Sequence, residues 1–125
     1  MTRTIEALKV CAGKLERHGV SRSRFVATEA CRRARNARDF IRQVRRETGL
    51  QLEIIAPEEE ARLAVMGCYA LLEQGAGPAL IFDIGGGSTE LVLVSTTGGV
   101  PEILDWVSVP WGVVSLTESE WAEAE

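Results

Sequence analysis

Asp83-Ile84-Gly85-Gly86-Gly87-Ser88-Thr89-Glu90 stands between two runs of apolar, strand-forming residues, 79–82 and 91–94. Strand, glycine turn and strand make a β-hairpin. Its tip carries no Cβ atoms, so an anion can approach the backbone N–H groups directly. Asp83 enters the turn and Glu90 leaves it. Two carboxylates beside a bare phosphate repel it, whereas they suit a phosphate that arrives with a divalent cation. A plain hairpin turn is satisfied by one or two glycines, and three in a row between acids ask for more than a turn.

Other glycine motifs do not fit. A P-loop needs Lys followed by Ser or Thr and then a helix, but here Ser88-Thr89 follows Gly87 and leads into Glu90 and a strand. Gly85 and Gly87 begin a G-x-G-x-x-G pattern that closes on Glu90, and the continuation alternates as a strand does.

The 125 residues are 46% hydrophobic and 26% charged, enough to bury a core. No stretch approaches the roughly 18 apolar residues of a membrane span, and the first residues lack a charged-then-apolar signal segment. The reading is a cytoplasmic protein without membrane contact. Cys11, Cys31 and Cys68 are odd in number and widely spaced, as expected of reduced thiols packed as small hydrophobes. His18, the only histidine, reads as a surface residue. Charge divides sharply along the chain. All 14 Lys and Arg lie at or before Arg62 against nine acids, net +5, while residues 63–125 carry nine acids and no base, net −9. A basic half neutralises a polyanion and an acidic half holds metal. The aromatics are not interleaved with the arginines, so nucleic acid is not expected.

In chain order, Ile5, Leu8, Ala12 and Leu15 form one stripe of a helix running to about Arg17, with Gly19 ending it. Residues 24–28 read as a short buried strand and 29–35 as a turn or short helix. Asn36 and Asp39 resemble a capping pair before a helix with Phe40, Ile41 and Val44, ended by Gly49. Residues 51–55 form the next strand, with Leu52 and Ile54 on one face. Pro57 opens a helix whose first turn holds Glu58, Glu59 and Glu60, whose stripe is Leu63, Met66 and Ala70, and which reaches about Glu73. After the glycine hairpin, residues 96–99 make a second turn, 102–109 a third antiparallel strand, and a helix starts after Trp111-Gly112. The alternation predicts an α/β architecture. The acidic end, with no closing element, reads as a chain cut off.

Three blocks together resemble one family. Ala27-Thr28-Glu29-Ala30-Cys31-Arg32 with Asn36, then Glu58-Glu59-Glu60-Ala61-Arg62-Leu63, then 83–91, are similar in order and spacing to the exopolyphosphatase and guanosine pentaphosphate phosphatase (Ppx/GppA) family. The hairpin alone recurs across actin-like ATPases and sugar kinases; the Glu-Glu-Ala-Arg block singles out the phosphatases. The resemblance implies a ribonuclease-H-like, actin-type ATPase fold, here partial and spanning the junction of two lobes with the active site in the cleft between them. Residues 1–75 would be the later part of the first lobe and 76–125 the early part of the second. By position, Glu60 matches the base that activates water, and Arg32 an arginine contacting substrate phosphates. Gly85, Gly86, Gly87 and Ser88 match the second phosphate-binding loop, and Asp83 and Glu90 residues linked to Mg²⁺. Many members have serine and aspartate where this chain has Glu29 and Arg33, which bears on substrate preference. Nothing in residues 1–24 resembles the family's first phosphate loop and the later helical part is missing, so the comparison implies a fragment.

The expected activity is Mg²⁺-dependent hydrolysis of the terminal phosphoanhydride of inorganic polyphosphate or guanosine pentaphosphate, in a protein that is a homodimer when complete. Two alternatives stand beside it: a polyphosphate- or nucleotide-binding module without turnover, and an actin-like ATPase or sugar-kinase relative.

Overall fold

The computed structural model describes residues 1–73, 75 and 77–123. They form two compact units, residues 1–55 and 56–125.

In the first unit, α1 (Thr2–Arg17) and α3 (Ala37–Thr48) accompany two short strands, β1 (Phe25–Ala27) and β2 (Leu52–Ile54), which pair in parallel with Phe25 opposite Leu52. Parallel neighbours need a crossover, supplied by α2 (Glu29–Arg33) and α3. The stripe of α1 packs as its spacing predicts: Ile5 joins Val44 and Leu50 in the core, flanked by Leu8, Ala12, Leu15, Phe25, Phe40 and Leu52. Gly19 ends α1 in the left-handed region at φ 60°, where its amide bonds Glu16 O and that of Val20 bonds Leu15 O. Gly49 ends α3 the same way at φ 73°. Asn36 precedes α3 as expected, but its side chain makes no cap; Nδ2 points to Met1 Sδ at 3.3 Å instead. The strand at 24–28 is half-exposed rather than buried.

In the second unit, β3 (Ala79–Ile84), β4 (Thr89–Ser95) and β5 (Glu102–Val109) form an antiparallel sheet in that order. Helix α4 (Pro57–Cys68) lies on one face, continued by a 3-10 turn, Tyr69–Leu71. The buried set is Ala61, Val65, Ile81, Val92 and Val94. The helix therefore turns Ala61 and Val65 to the sheet rather than Leu63, Met66 and Ala70, and Met66 is 54% exposed. Small side chains at 61 and 65 let the helix approach the β-branched residues of β4 closely, which a leucine-methionine stripe would hold off. By packing, α4 goes with the strands that follow it, and the units divide at Ile55 and Ala56. The other face of the sheet is apolar and open, with Phe82 60% exposed between Leu80 and Ile84. The last helix, α5, spans Val113–Glu123.

The three thiols are free, Cys31 and Cys68 half-buried and Cys11 exposed, so Cys11 is not the packed residue its helical setting suggested. His18 is on the surface.

Candidate active site

The register of the first hairpin sets Asp83 directly opposite Glu90. Paired residues share a face, with Cβ atoms about 4.5–5.5 Å apart, and this face is the one that carries Ile81, Val92 and Val94 into the core. Glu90 is consequently 1% exposed and Asp83 half-buried. The second hairpin sets Ser108 on the other side of Glu90, where its hydroxyl donates to Oε1 at 2.8 Å. A row Asp83–Glu90–Ser108 thus crosses the sheet at the glycine end. Two like charges in adjacent positions cost stability, and a buried carboxylate answered by one neutral hydroxyl is only partly compensated.

Hard carboxylate oxygens in this number suit Mg²⁺, which binds through one or two carboxylates and completes its shell with water and substrate phosphate. Among the described residues no three His, Cys, Asp or Glu side chains converge as a metal cage.

The hairpin tip is built differently from a free glycine loop. Gly85 N donates back across it to Ser88 O at 2.9 Å. The carbonyls of Gly85 and Gly86 accept from the first amides of α5: Val113 N to Gly85 O at 3.0 Å, Val114 N and Ser115 N to Gly86 O at 2.9 and 3.1 Å. A helix start ordinarily takes these bonds from a capping side chain. Here Gly112 has none, and the hairpin caps the helix. Gly85 and Gly86 do not occupy left-handed backbone regions; a Cβ on Gly85 would stand a tight 3.3 Å from Ser88 O, and one on Gly86 an ordinary 3.4 Å from the Val114 side chain. A Cβ on Gly112 would stand 2.5 Å from Gly85 O and 2.5 Å from the Gly86 carbonyl carbon. With the carbonyls turned to α5, the amides of Gly86, Gly87 and Ser88 meet no acceptor among the described residues. These three amides are the groups that the hairpin tip leaves available to an acceptor among the described residues.

Glu60 enters from α4. The three glutamates of its first turn separate by helical phase: Glu58 is exposed, Glu59 is tied to Arg62 at 2.7 and 3.0 Å, and Glu60 is half-buried next to the core residue Ala61. The helix end is oriented by its far terminus. Tyr69 Oη donates to Gly98 O in the β4–β5 turn, the end of the sheet away from the glycines. Twelve residues at 1.5 Å carry the helix about 18 Å back, while Val94 to Glu90 spans about 13 Å of strand. Ala61, the residue after Glu60, lies in the same buried cluster as Ile81, Val92 and Val94.

Arg32 belongs to the other unit, one helical turn after β1. Its Nη1 donates to Ile55 O at 2.8 Å and Nε to Glu29 at 3.2 Å, and its side chain is 16% exposed. Glu29, one of the positions that depart from the family pattern, thus holds the guanidinium that the resemblance aims at phosphate.

Ser108, Ser115 and the contact of Gly112 with the hairpin tip escaped the sequence reading, although Gly112 was read as preceding a helix. Counting register from the second turn, where Val94 faces Ile103, would place Val107 opposite Glu90. An irregularity between Leu93 and Val94 shifts the pairing by one residue and brings Ser108 there instead. Alternation of side chains gives no sign of such a bulge.

A model of the Ppx/GppA phosphatase family matches residues 1–123. Among solved structures, the chain is similar to the Ppx/GppA family member of Aquifex aeolicus at 39% identity and a TM-score of 0.74, covering 94% of this chain and 37% of that one. It is similar to an exopolyphosphatase-like protein at 34% identity and a TM-score of 0.83, with 94% and 37% covered. An exopolyphosphatase from Cytophaga hutchinsonii matches at 28% identity and a TM-score of 0.87, with 95% and 37% covered. The chain thus spans little more than a third of the length of these relatives, and its fold is the corresponding part of an actin-like ATPase fold.

Proposed function

Because the chain belongs to the Ppx/GppA phosphatase family, we propose that it carries the water-activating and phosphate-holding parts of a hydrolase acting on the terminal phosphoanhydride of inorganic polyphosphate or guanosine pentaphosphate. The observation that supports this most is the pairing of Asp83 with buried Glu90 beneath a hairpin tip whose amides of 86, 87 and 88 meet no acceptor among the described residues.

In this reading the terminal phosphoryl group rests against those amides, which donate to its non-bridging oxygens. Glu60 takes a proton from the water whose oxygen attacks phosphorus in line. The bond from phosphorus to the bridging oxygen breaks, and orthophosphate leaves the shortened chain or the tetraphosphate. Asp83 and Glu90 would hold Mg²⁺, which when bound would supply charge neutralisation for phosphoryl oxygens. Arg32 reaches substrate phosphate only by exchanging its bond to Glu29, so we assign it a weaker part in binding than a freely presented arginine would have. The reading places the reaction in the cytoplasm and the active form in a homodimer of the complete protein. No helix among the described residues is long and apolar enough to cross a membrane.

Phosphate release from both substrates in the presence of Mg²⁺, measured beside Glu60→Gln, tests the proposal. Release that falls by orders of magnitude in the variant, while substrate still binds, supports Glu60 as base. Equal release in both proteins refutes that role, and binding without release from either points to a module that holds phosphate without turning it over.

A further inference from the structure

Helix α3 carries a charge pattern the site does not use. At 100° per residue, Arg38, Arg42, Arg45 and Arg46 fall within an arc of about 100°, opposite the face that buries Ala37 and Val44. All four are exposed, and Arg35 precedes them in the turn before the helix, also exposed. Arg42 pairs with Asp39 and Arg46 approaches Glu47 at 3.8 Å, contacts in open solvent that hold little energy. Arg35, Arg38 and Arg45 have no carboxylate within ion-pair distance among the described residues. From Arg38 to Arg46 the stripe runs about 12 Å along the helix axis, a length suited to several successive charges of a linear polymer rather than to one phosphate.

We propose that this stripe binds the body of a long inorganic polyanion, a polyphosphate chain, as a surface separate from the hairpin that holds a terminal phosphate. The inference rests on the hydrolase reading above for its choice of polymer. A nucleic acid offers the same backbone charge, but reading its bases requires stacking surfaces. The only aromatics in residues 1–55, Phe25 and Phe40, are half-buried against the core cluster. A polymer of phosphate alone makes no such demand.

The test is equilibrium binding by the whole chain, without divalent cation so that no turnover occurs. The probes are polyphosphate about a hundred units long, tripolyphosphate, and single-stranded RNA of matched charge. Compared with wild type, R38Q/R42Q/R45Q should lose at least tenfold in affinity for the long polymer at low salt. The slope of log affinity against log salt should fall by about two, taking roughly 0.7 per neutralised charge as for single strands. Tripolyphosphate affinity should not change, and the triple lysine variant should keep most of the long-chain affinity. Undiminished long-chain binding in the glutamine variant overturns the proposal, as does an equal loss for tripolyphosphate. RNA that binds as tightly as polyphosphate overturns the choice of polymer. Phosphate release in Glu60→Gln is a separate readout, so failure of the stripe and failure of the hydrolase reading are distinguishable.

Discussion

Adding one methyl group at Gly112 is expected to destabilise the second unit by about 2–4 kcal/mol. The new Cβ would meet Gly85 O and the Gly86 carbonyl carbon at 2.5 Å and Gly86 O at 2.6 Å, all backbone atoms. No side-chain rotation relieves that overlap. Helix α5 must move off the hairpin tip, weakening the bonds from Val113, Val114 and Ser115 and the one from Thr89 Oγ1 to Trp111 O at 2.7 Å. Losing two such bonds costs about 1–3 kcal/mol and overpacking about 1–3 more. The lower backbone entropy of alanine in the unfolded chain returns about 0.5–1 kcal/mol. Urea unfolding followed by tryptophan fluorescence isolates the effect, since Trp106, Trp111 and Trp121 all belong to the second unit. At roughly 1 kcal/mol per molar urea for a unit this small, the midpoint should fall by about 2 M or more. The control is Gly13→Ala in the middle of α1, where a Cβ meets nothing within 4 Å. Followed by circular dichroism at 222 nm, that change should stabilise by about 0.5–1 kcal/mol. A Gly112→Ala midpoint within 0.5 M of wild type refutes the account of the clasp.

Asp83→Asn removes one of two facing carboxylates, so without divalent cation it should raise stability by about 0.2–1 kcal/mol. Millimolar Mg²⁺ should raise the thermal stability of the wild type and not of this variant; no response in the wild type, or a full response in Asp83→Asn, counts against cation binding at this row. Lys9 Nζ lies 2.9 Å from Glu47 Oε2, and that bond first, then one from Gln43, holds the Glu47 carboxyl below its ordinary 4.5. A depressed folded value means the stabilisation is complete above pH 4.5 and disappears as pH falls through the folded value. Acid unfolding of Glu47→Gln should therefore converge on wild type below that window and differ above it; a constant difference at every pH would contradict the assignment. Ile5→Ala, at a fully buried position between α1 and α3, should cost about 2–5 kcal/mol in denaturant unfolding of the first unit, and a loss under 1 kcal/mol would mean that unit is not held by its α1 stripe.

What the sequence made legible was periodicity and punctuation. The α1 stripe, both glycine helix ends and the three antiparallel strands follow from spacing and from residues with restricted backbone choices. Alternation along 90, 92 and 94 was equally visible, and it is why Glu90 is buried with the valines. What stayed hidden depended on partners. The rotation of α4 was decided by which side chains allow the sheet to approach, so two small residues prevailed over the larger apolar ones. The Asn36 cap lost its bond because the side chain found Met1 instead. Ser108 and Gly112 acquire their roles from strands and turns distant in sequence, and one bulged residue was enough to defeat counting.

The bonds between hairpin tip and α5 also bear on motion. Three amides at the head of the helix end on two carbonyls of the tip, so peptide planes that tilt to meet an anion on their N–H side carry those carbonyls with them. The helix would then act as a lever fixed to the loop, and occupancy of the loop would be expressed as an angle of α5. Amide hydrogen exchange at Val113, Val114 and Ser115, slowed when tripolyphosphate is bound, would register that transmission at residues the ligand never touches.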